Sequence, residues 1–448
     1  MNTLQRTVLS LASAVALAAV ADQAAAFCGF YVATDDSPLF NNASRVVLAR
    51  RGNLTTMTMA NDYKGSPKEF AIVIPVPTVV KKEQIRVSDN AVIDQIDGYT
   101  KPRMAEYYDP DPCNPQPMYE LDMASAVPTS ATRMKSGAAK PDDYHVTIEA
   151  SYDVGEYDIL ILSAEDSGGL ERWLVDNGYK IPRGASDVLG SYIKQNMKFF
   201  VAKVDLGELN KQGASPFLRP LQVEYESPKF MLPIRLGMVN ADGPQDLLVY
   251  ALTEKGRVET TNYRTTKIPT DQDVPEYVAK EFGAFYKALF QKQVAKQGMQ
   301  TVFLEYAWPL SISCDPCTGI YLSGDTLTKM GASWASEYHG GVNGGFVTRL
   351  HVRYDMAHFP EDLTFQETAD SSTFQGRYVI HHPFTGDTST CEAGRTYAKG
   401  LYAKQEAEIT NVANLTGWST DQVRKKVPGH EAAATTTPSN SSSWWEQQ

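Results

Sequence analysis

The fold class of this 448-residue chain is indicated most clearly by one segment, Phe346-Val347-Thr348-Arg349-Leu350-His351-Val352-Arg353-Tyr354. Every second residue from Phe346 onward is apolar or threonine, and the residues between them include Arg349, His351 and Arg353. Successive side chains of a β-strand point to opposite faces. The segment therefore predicts a strand with one core-facing side and one basic side.

Helices and strands are mixed on both sides of this strand. Residues 275–298 carry apolar side chains at helical spacing, and Pro275 suits the first turn of a helix. A strand is predicted over 301–308 and a last helix over 397–412. The apolar stripe of the first helix is expected to face the core.

The middle of the chain predicts a ββααβ unit. Its strands are expected at 145–150, 157–163 and 199–204, with two helices between the second strand and the third. The two helices would cover one face of a small sheet. Elsewhere, the turn residues 51–53 and 254–256 each predict a β-hairpin between the strands that flank them.

The predicted fold class is α+β, with mixed, mostly antiparallel sheets, a few packed helices and stabilisation by disulfides. With 42% hydrophobic residues, the chain can bury a sizeable core. The predicted regions are a signal peptide at 1–26, an N-terminal β-rich region at 27–143, an α+β region with the ββααβ unit at 144–270, a C-terminal α+β region with a Cys-x-x-Cys motif at 271–428, and a disordered tail at 429–448.

The first residues predict export. Arg6 supplies a positive charge, residues 8–20 form an apolar stretch too short to span a bilayer, and Ala24-Ala25-Ala26 resembles a cleavage site. The bulky Phe27 argues against lipid attachment at Cys28. No later apolar run reaches the roughly 20 residues of a transmembrane helix. We therefore expect a protein that is soluble after cleavage, in the periplasm or outside the cell.

The formal net charge of -11 argues against polyanionic partners. No basic cluster is interleaved with aromatic residues, so nucleic-acid binding is not predicted. The chain has no phosphate-binding loop, no dinucleotide-binding glycine motif and no Gly-x-Ser-x-Gly elbow. No cofactor is predicted, and the partner is expected to be an unknown envelope protein or ligand.

In an oxidising compartment, the cysteines are expected to pair and to leave one over, because their number is odd. The candidates are Cys28, Cys113, Cys314, Cys317 and Cys391. The local pair is Cys314 with Cys317, and a longer link could join Cys28 or Cys113 to Cys391. The sequence leaves the pairing open.

The segment Cys314-Asp315-Pro316-Cys317 has the spacing of redox enzymes, in which the first cysteine begins a helix that lowers its pKa. Here the following residues, 318–324, predict a loop or strand. This pattern favours a structural disulfide over a redox centre or a metal site.

Several histidines could in principle gather around a metal ion, and the weak candidates are His351 and His358 with Asp355. None of the histidine spacings matches the pair of a zinc-protease helix. Surface or hydrogen-bonded histidines are the favoured interpretation.

The chain resembles the bacterial family known as domain of unknown function 2330. The resemblance rests on several segments in the same order: residues 28–33, 61–63, 70–77, 107–113, 154–159, 314–317 and 348–354. It would extend from the mature N-terminus to about residue 420. It implies an exported bacterial protein of unassigned activity, and it carries no catalytic residue.

The sequence thus favours a non-catalytic binding or scaffolding protein of the cell envelope, stabilised by disulfides. Two catalytic alternatives stay open. One is a thiol-disulfide oxidoreductase that uses Cys314 and Cys317, and the other is a metal-dependent hydrolase built on histidines such as His351.

Overall fold

The computed structural model describes residues 30–33, 44–61, 70–114, 145–182, 184–204, 218–241, 243–311, 319–338 and 341–430. In these residues the α-helices are α1 Asn90–Thr100, α2 Ser167–Asp176, α3 Ala185–Lys194, α4 Tyr277–Lys280, α5 Phe282–Lys296, α6 Gly324–Lys329, α7 Glu392–Thr416 and α8 Thr420–Arg424. Short 3-10 helices occupy Lys82–Gln84 and Gly237–Asn240.

The strands are β1 Phe30–Ala33, β2 Ser44–Arg51, β3 Leu54–Asn61, β4 Phe70–Val76, β5 Ile85–Val87, β6 Arg103–Tyr108, β7 Val146–Val154, β8 Tyr157–Ala164, β9 Lys198–Val204, β10 Leu221–Glu226, β11 Met231–Leu232, β12 Gln245–Thr253, β13 Val258–Thr260, β14 Arg264–Lys267, β15 Gln272–Asp273, β16 Thr301–Pro309, β17 Ser336–Tyr338, β18 Gly341–Asn343, β19 Phe346–Tyr354, β20 Leu363–Glu367, β21 Phe374–Gln375 and β22 Arg377–His382. The predicted α+β class is confirmed.

A nine-stranded sheet forms the centre of the molecule. Its strands follow the order β14-β16-β19-β12-β2-β3-β10-β5, and β21 pairs with β16. Two pairs, β14 with β16 and β12 with β2, are parallel, and the other pairs are antiparallel. The sheet contains strands from each of the regions 27–143, 144–270 and 271–428.

A five-stranded antiparallel sheet, β1-β4-β9-β8-β7, packs against one face of this central sheet. Its strand β4 is buried throughout, with Ile72 and Ile74 in the core between the two sheets and Ala71 and Val73 in the core under α2 and α3. The predicted ββααβ unit is confirmed as β7, β8, α2, α3 and β9. Its two helices cover one face of the sheet, as the sequence predicts.

Helices cover the opposite face of the central sheet. α1 and α6 pack there around Ile93, Ile96 and Leu327. The ring of Phe290 in α5 stacks on His351 of β19. The molecule is therefore layered as helices, five-stranded sheet, nine-stranded sheet and helices. Three smaller sheets, β11-β20-β13, β15-β22-β6 and β17-β18, complete the structure of the described residues.

The predicted hairpin of residues 247–253 with 257–261 is wrong. β12 pairs with β19 along its full length and with β2 on its other edge. Both edges of β12 are therefore occupied, and neither is available to β13. β13 pairs with β20 instead. The chain leaves the sheet at Gly256, where an added Cβ would lie 2.6 Å from the carbonyl oxygen of Thr368. Only glycine allows so close an approach.

The other predicted elements differ mainly at their ends. The hairpin of β2 and β3 is confirmed, and Gly52 in its turn has φ of +57°. The helix predicted over 275–298 is interrupted at Glu281 and becomes α4 and α5, with Phe285 and Leu289 fully buried as expected. The helix predicted over 397–412 begins earlier, because Cys391 accepts a hydrogen bond from the Gly394 N–H and caps α7, and the short α8 follows it.

Among the described residues, none of the helices is both long enough and apolar enough to cross a bilayer. A disulfide joins Cys113, which follows β6, to Cys391 at the start of α7. This is one of the two longer links that the sequence left open. Cys28, Cys314 and Cys317 lie outside the described residues.

Candidate functional site

The basic face of β19 is neutralised by a carboxylate that the sequence analysis did not single out. The register between β16 and β19 shifts between Leu304 and Tyr306, and the extra residue at this bulge is Glu305. Glu305 is 0% exposed. Its Oε2 accepts a hydrogen bond from Arg349 Nε at 2.6 Å, and its Oε1 lies 2.7 Å from His351 Nδ1.

Helix residues complete this buried network. The Tyr286 hydroxyl of α5 donates a hydrogen bond to Glu305. Arg349 Nη1 donates to Asp97 Oδ1 of α1 at 2.6 Å, and the Tyr250 hydroxyl donates to the same oxygen at 2.6 Å. The network therefore connects the sheet to α1 and α5, two of the helices that cover it.

Burial alone would raise the pKa of Glu305, because desolvation disfavours a charged carboxylate. The charges of His351 and Arg349 and the hydrogen bonds from His351 and Tyr286 outweigh burial and lower this pKa to about 2. Glu305 is therefore ionised at neutral pH. Arg349, His351 and Tyr286 hold this charge and connect β16, β19 and α5.

The metal-site candidates lie in two separate pairs. His351 pairs with Glu305, whereas His358 Nδ1 lies 2.7 Å from Asp355 Oδ1 just after β19. In the part of the chain that the structure describes, no group of three or more histidine, cysteine or acidic side chains is placed to hold a metal ion. The histidine-based hydrolase gains no support from this geometry.

The redox alternative depends on residues that the structure does not describe, Cys314 and Cys317, so it stays a prediction. The described residues after the motif, 319–323, form neither helix nor strand, and α6 begins only at Gly324. This agrees with the loop or strand expected there.

A cleft of about 700 Å3 lies at the end of the central sheet, between β5, the start of α1 and α6. Its lining includes Arg86, Arg219 and Lys329, with Gln222 and Thr326 as uncharged polar groups. Volumes of this order are typical of small-molecule sites. We define this as the arginine cleft.

Arg219 is held in the arginine cleft by three successive residues of the β7–β8 turn. Glu156 is 0% exposed and accepts hydrogen bonds from Arg219 Nε, at 3.0 Å, and from Arg219 Nη2. The Tyr157 hydroxyl donates to the Arg219 carbonyl oxygen at 2.8 Å. At Gly155, with φ of +62°, an added Cβ would lie 2.8 Å from Arg219 Nη2.

The arginine cleft contains both cationic and acidic side chains. Hydrogen bonding to Glu156 raises the pKa of Arg219, which stays charged. Lys329 pairs with Asp325 at 2.6 Å, and Asp89 accepts a hydrogen bond from the Ala91 N–H as the cap of α1. The Arg86 side chain is exposed, and no hydrogen bond or ion pair joins its guanidinium to another described residue. The acids Glu156, Asp325 and Asp89 thus balance the three cations in number, and Arg86 is the cation of the cleft without an ion pair to another described residue.

A family model, described as an uncharacterized protein conserved in bacteria, matches residues 22–366, which is well over half of the chain. The chain belongs to the DUF2330 family. The predicted family is confirmed, and the match ends before the expected residue 420. No curated protein and no solved structure matches the chain.

The DUF2330 match contains the whole arginine cleft. Residues 154–159, which carry part of the resemblance, are the turn that holds Arg219. The sequence analysis noted this segment without assigning it a role. A glycine next to an acidic residue at a strand turn was the available signal, but its partner lies 63 residues away along the chain. The match ends before α7, so Cys391 lies beyond it.

Proposed function

We propose that this DUF2330 protein is an exported, non-catalytic binding protein of the bacterial cell envelope. Its arginine cleft binds a small molecule that carries a carboxylate or a phosphate. The observation that carries this proposal is that Glu156 and Tyr157 hydrogen-bond to Arg219 and that Gly155 leaves the space its Nη2 needs. A guanidinium held in this way loses little freedom when it binds an anion.

Two guanidinium groups that line the arginine cleft, those of Arg219 and Arg86, support an anionic ligand. Arg219 binds Glu156 through Nε and Nη2, and no hydrogen bond joins its Nη1 to another described residue. Arg86 supplies a second cation on the neighbouring edge strand β5. Charge-assisted hydrogen bonds to carboxylate or phosphate are stronger than those between neutral groups.

Export is supported by the signal-like residues 1–26 and by the disulfide between Cys113 and Cys391. Disulfides persist in oxidising compartments such as the bacterial periplasm. The proposed location is therefore the periplasm or the outside of the cell.

The ligand class is tested by calorimetry with two matched pairs of probes: glucuronate with glucose, and glycerol phosphate with glycerol. We expect at least one acidic probe to bind more tightly than its neutral counterpart. Arg86→Gln should weaken that binding about tenfold, because one charge-assisted hydrogen bond is lost. The exposed Arg172 of α2 supplies the control, Arg172→Gln. Equal binding of acidic and neutral probes, or equal effects of the two variants, would count against the proposal.

A second variant tests the positioning of Arg219 without changing any charge. Gly155→Ala adds a methyl group where Arg219 Nη2 lies and places a non-glycine residue at φ of +62°. We expect a loss of about 1–2 kcal/mol in the free energy of unfolding and about a tenfold weaker affinity for the acidic probe. Denaturation and calorimetry measure the two effects. The control is Gly178→Ala, where φ is also positive but no atom lies near the added Cβ. It should lose stability and keep the affinity.

A further inference from the structure

A second cleft, of about 200 Å3, is lined by residues 275–277, which lie within the family match, and by residues between 381 and 428, which follow it. It is formed by the middle of α7, the residues that enter α4, the end of β22 and residues 426–428. Its apolar lining includes Leu401 and Val427. Glu408 of α7 also lines it, although this side chain is only 6% exposed. We call this the Glu408 cleft.

Among the described residues, no ion pair and no hydrogen bond joins the Glu408 carboxylate to another group, and Lys404 on the same helix supplies only a longer-range attraction. The cations of the cleft are paired with other acids. Lys404 Nζ lies 3.3 Å from Asp109 Oδ2, and Lys426 pairs with Glu281. A buried carboxylate without a partner is costly. This carboxylate is therefore ready to accept a cationic ligand.

The surroundings of the Glu408 cleft are acidic. His381 lies between two carboxylates, with Nδ1 at 3.4 Å from Asp109 and Nε2 at 3.5 Å from Asp273. Glu276 lines the same cleft. With each lysine opposed by an acid, the remaining charge is negative. This excess of negative charge attracts cations, and the low dielectric constant of the surrounding protein strengthens the attraction.

We propose that the Glu408 cleft binds the protonated amino group of a small primary amine, with Glu408 as the acceptor of its hydrogen bonds. The apolar side chains of Leu401 and Val427 would contact the alkyl part. The small volume favours a ligand of a few atoms. An organic cation is favoured over a metal ion because the described residues offer no group of three ligands. This site is independent of the arginine cleft.

Calorimetry on the full mature protein at pH 8 tests the proposal with butylammonium chloride as the probe. The matched probes are n-butanol, which lacks the charge, and tetramethylammonium, which lacks N–H donors. We expect butylammonium to bind at least about tenfold more tightly than either, since charged hydrogen bonds are worth this much. Glu408→Gln should remove this preference. The exposed Glu392 of the same helix supplies the control, Glu392→Gln.

The affinity for butylammonium should also depend on pH. Burial raises the pKa of Glu408 to about 7; Lys404 opposes this shift, and Asp273, Asp109 and Glu276 add to it. Because only the ionised carboxylate attracts the amine, affinity should rise about tenfold from pH 6 to pH 8.

The groups that face Glu408 come from several elements: Lys404 on α7, Asp273 on β15, Asp109 after β6, Glu276 before α4, His381 on β22 and Lys426 after α8. Histidine side chains also change charge between pH 5 and pH 8. His381→Asn separates the two contributions, and the pH dependence should persist in this variant.

Two variants keep the test decisive. Glu408→Gln removes a buried charge and should fold, which circular dichroism checks. Leu401→Trp fills the cleft and leaves Glu408 in place, so it should abolish binding as well. Equal binding of n-butanol and butylammonium, unchanged affinity in Glu408→Gln, or calcium chloride binding in place of the amine would each overturn the proposal.

Discussion

Replacing Glu305 by glutamine is expected to lower the free energy of unfolding by about 3 kcal/mol at neutral pH. Both oxygens of Glu305 accept hydrogen bonds, from Arg349 on one side and from His351 and Tyr286 on the other. Glutamine offers one oxygen and an NH2 group, so one of these donors would face another donor. Urea denaturation of the wild type and the variant at pH 7 measures the difference.

The pH dependence of this difference has a definite sign. The pKa of Glu305 is lowered to about 2 by His351 and Arg349 against the effect of burial. The stability it contributes is therefore fully present above its unfolded pKa of about 4.5 and is lost as the pH falls toward 2. The difference between the wild type and Glu305→Gln should shrink over this range.

Asp246→Asn is the matched control for Glu305→Gln. Asp246 pairs with Arg353 on the same face of β19, but its side chain is partly exposed. The loss should be about 1 kcal/mol or less, because solvent weakens such pairs. If the two variants lose equal stability, or if the difference at Glu305 does not change with pH, the network is not the buried connection described above.

Removing the disulfide with Cys113→Ser and Cys391→Ser is expected to lower the free energy of unfolding by about 5–6 kcal/mol on the chain-entropy model. The reason is the length of the loop, since the two cysteines are 278 residues apart in the sequence. Removing the bond frees many conformations of the unfolded chain. Chemical denaturation of both proteins without reductant gives the difference.

Mass spectrometry of the exported protein supplies the independent check on this bond. A peptide pair joining Cys113 to Cys391 should be found, and reductant should lower the stability of the wild type more than that of the double variant. Loss of the bond should also weaken the hydrogen bonds that Tyr397 and Lys404 donate to Asp109 beside the Glu408 cleft. Equal stability of the two proteins would contradict the loop-length argument.

Much of the local structure could be predicted from sequence periodicity. The hairpin of β2 and β3, the ββααβ unit and the two faces of β19 all depend on neighbouring residues. The hairpin predicted at residues 254–256 is wrong because sequence periodicity does not determine which strands become neighbours. Its turn residues were suitable, but β19 and β2 occupy both edges of β12.

The candidate sites were much less predictable. Arg219 and Glu156 come from separate elements, and the acids around Glu408, Asp109, Asp273 and Glu276, come from three different segments. Neither set forms a motif of fixed spacing. The histidines that the sequence singled out turned out to have acidic partners instead: His351 pairs with Glu305, and His358 pairs with Asp355.

By itself, the sequence determined which faces of the strands and helices are apolar, which segments are strands or helices, and membership of the DUF2330 family. These properties follow from local spacing, because side-chain direction repeats every two residues in a strand and every 3.6 in a helix. Only the tertiary structure decided which strands are neighbours, that Cys113 pairs with Cys391, and that Glu305 lies beneath Arg349. Those outcomes depend on how whole layers pack together. The neighbour of a strand edge and the partner of a buried charge come from distant parts of the sequence, and only the assembled core places them in contact.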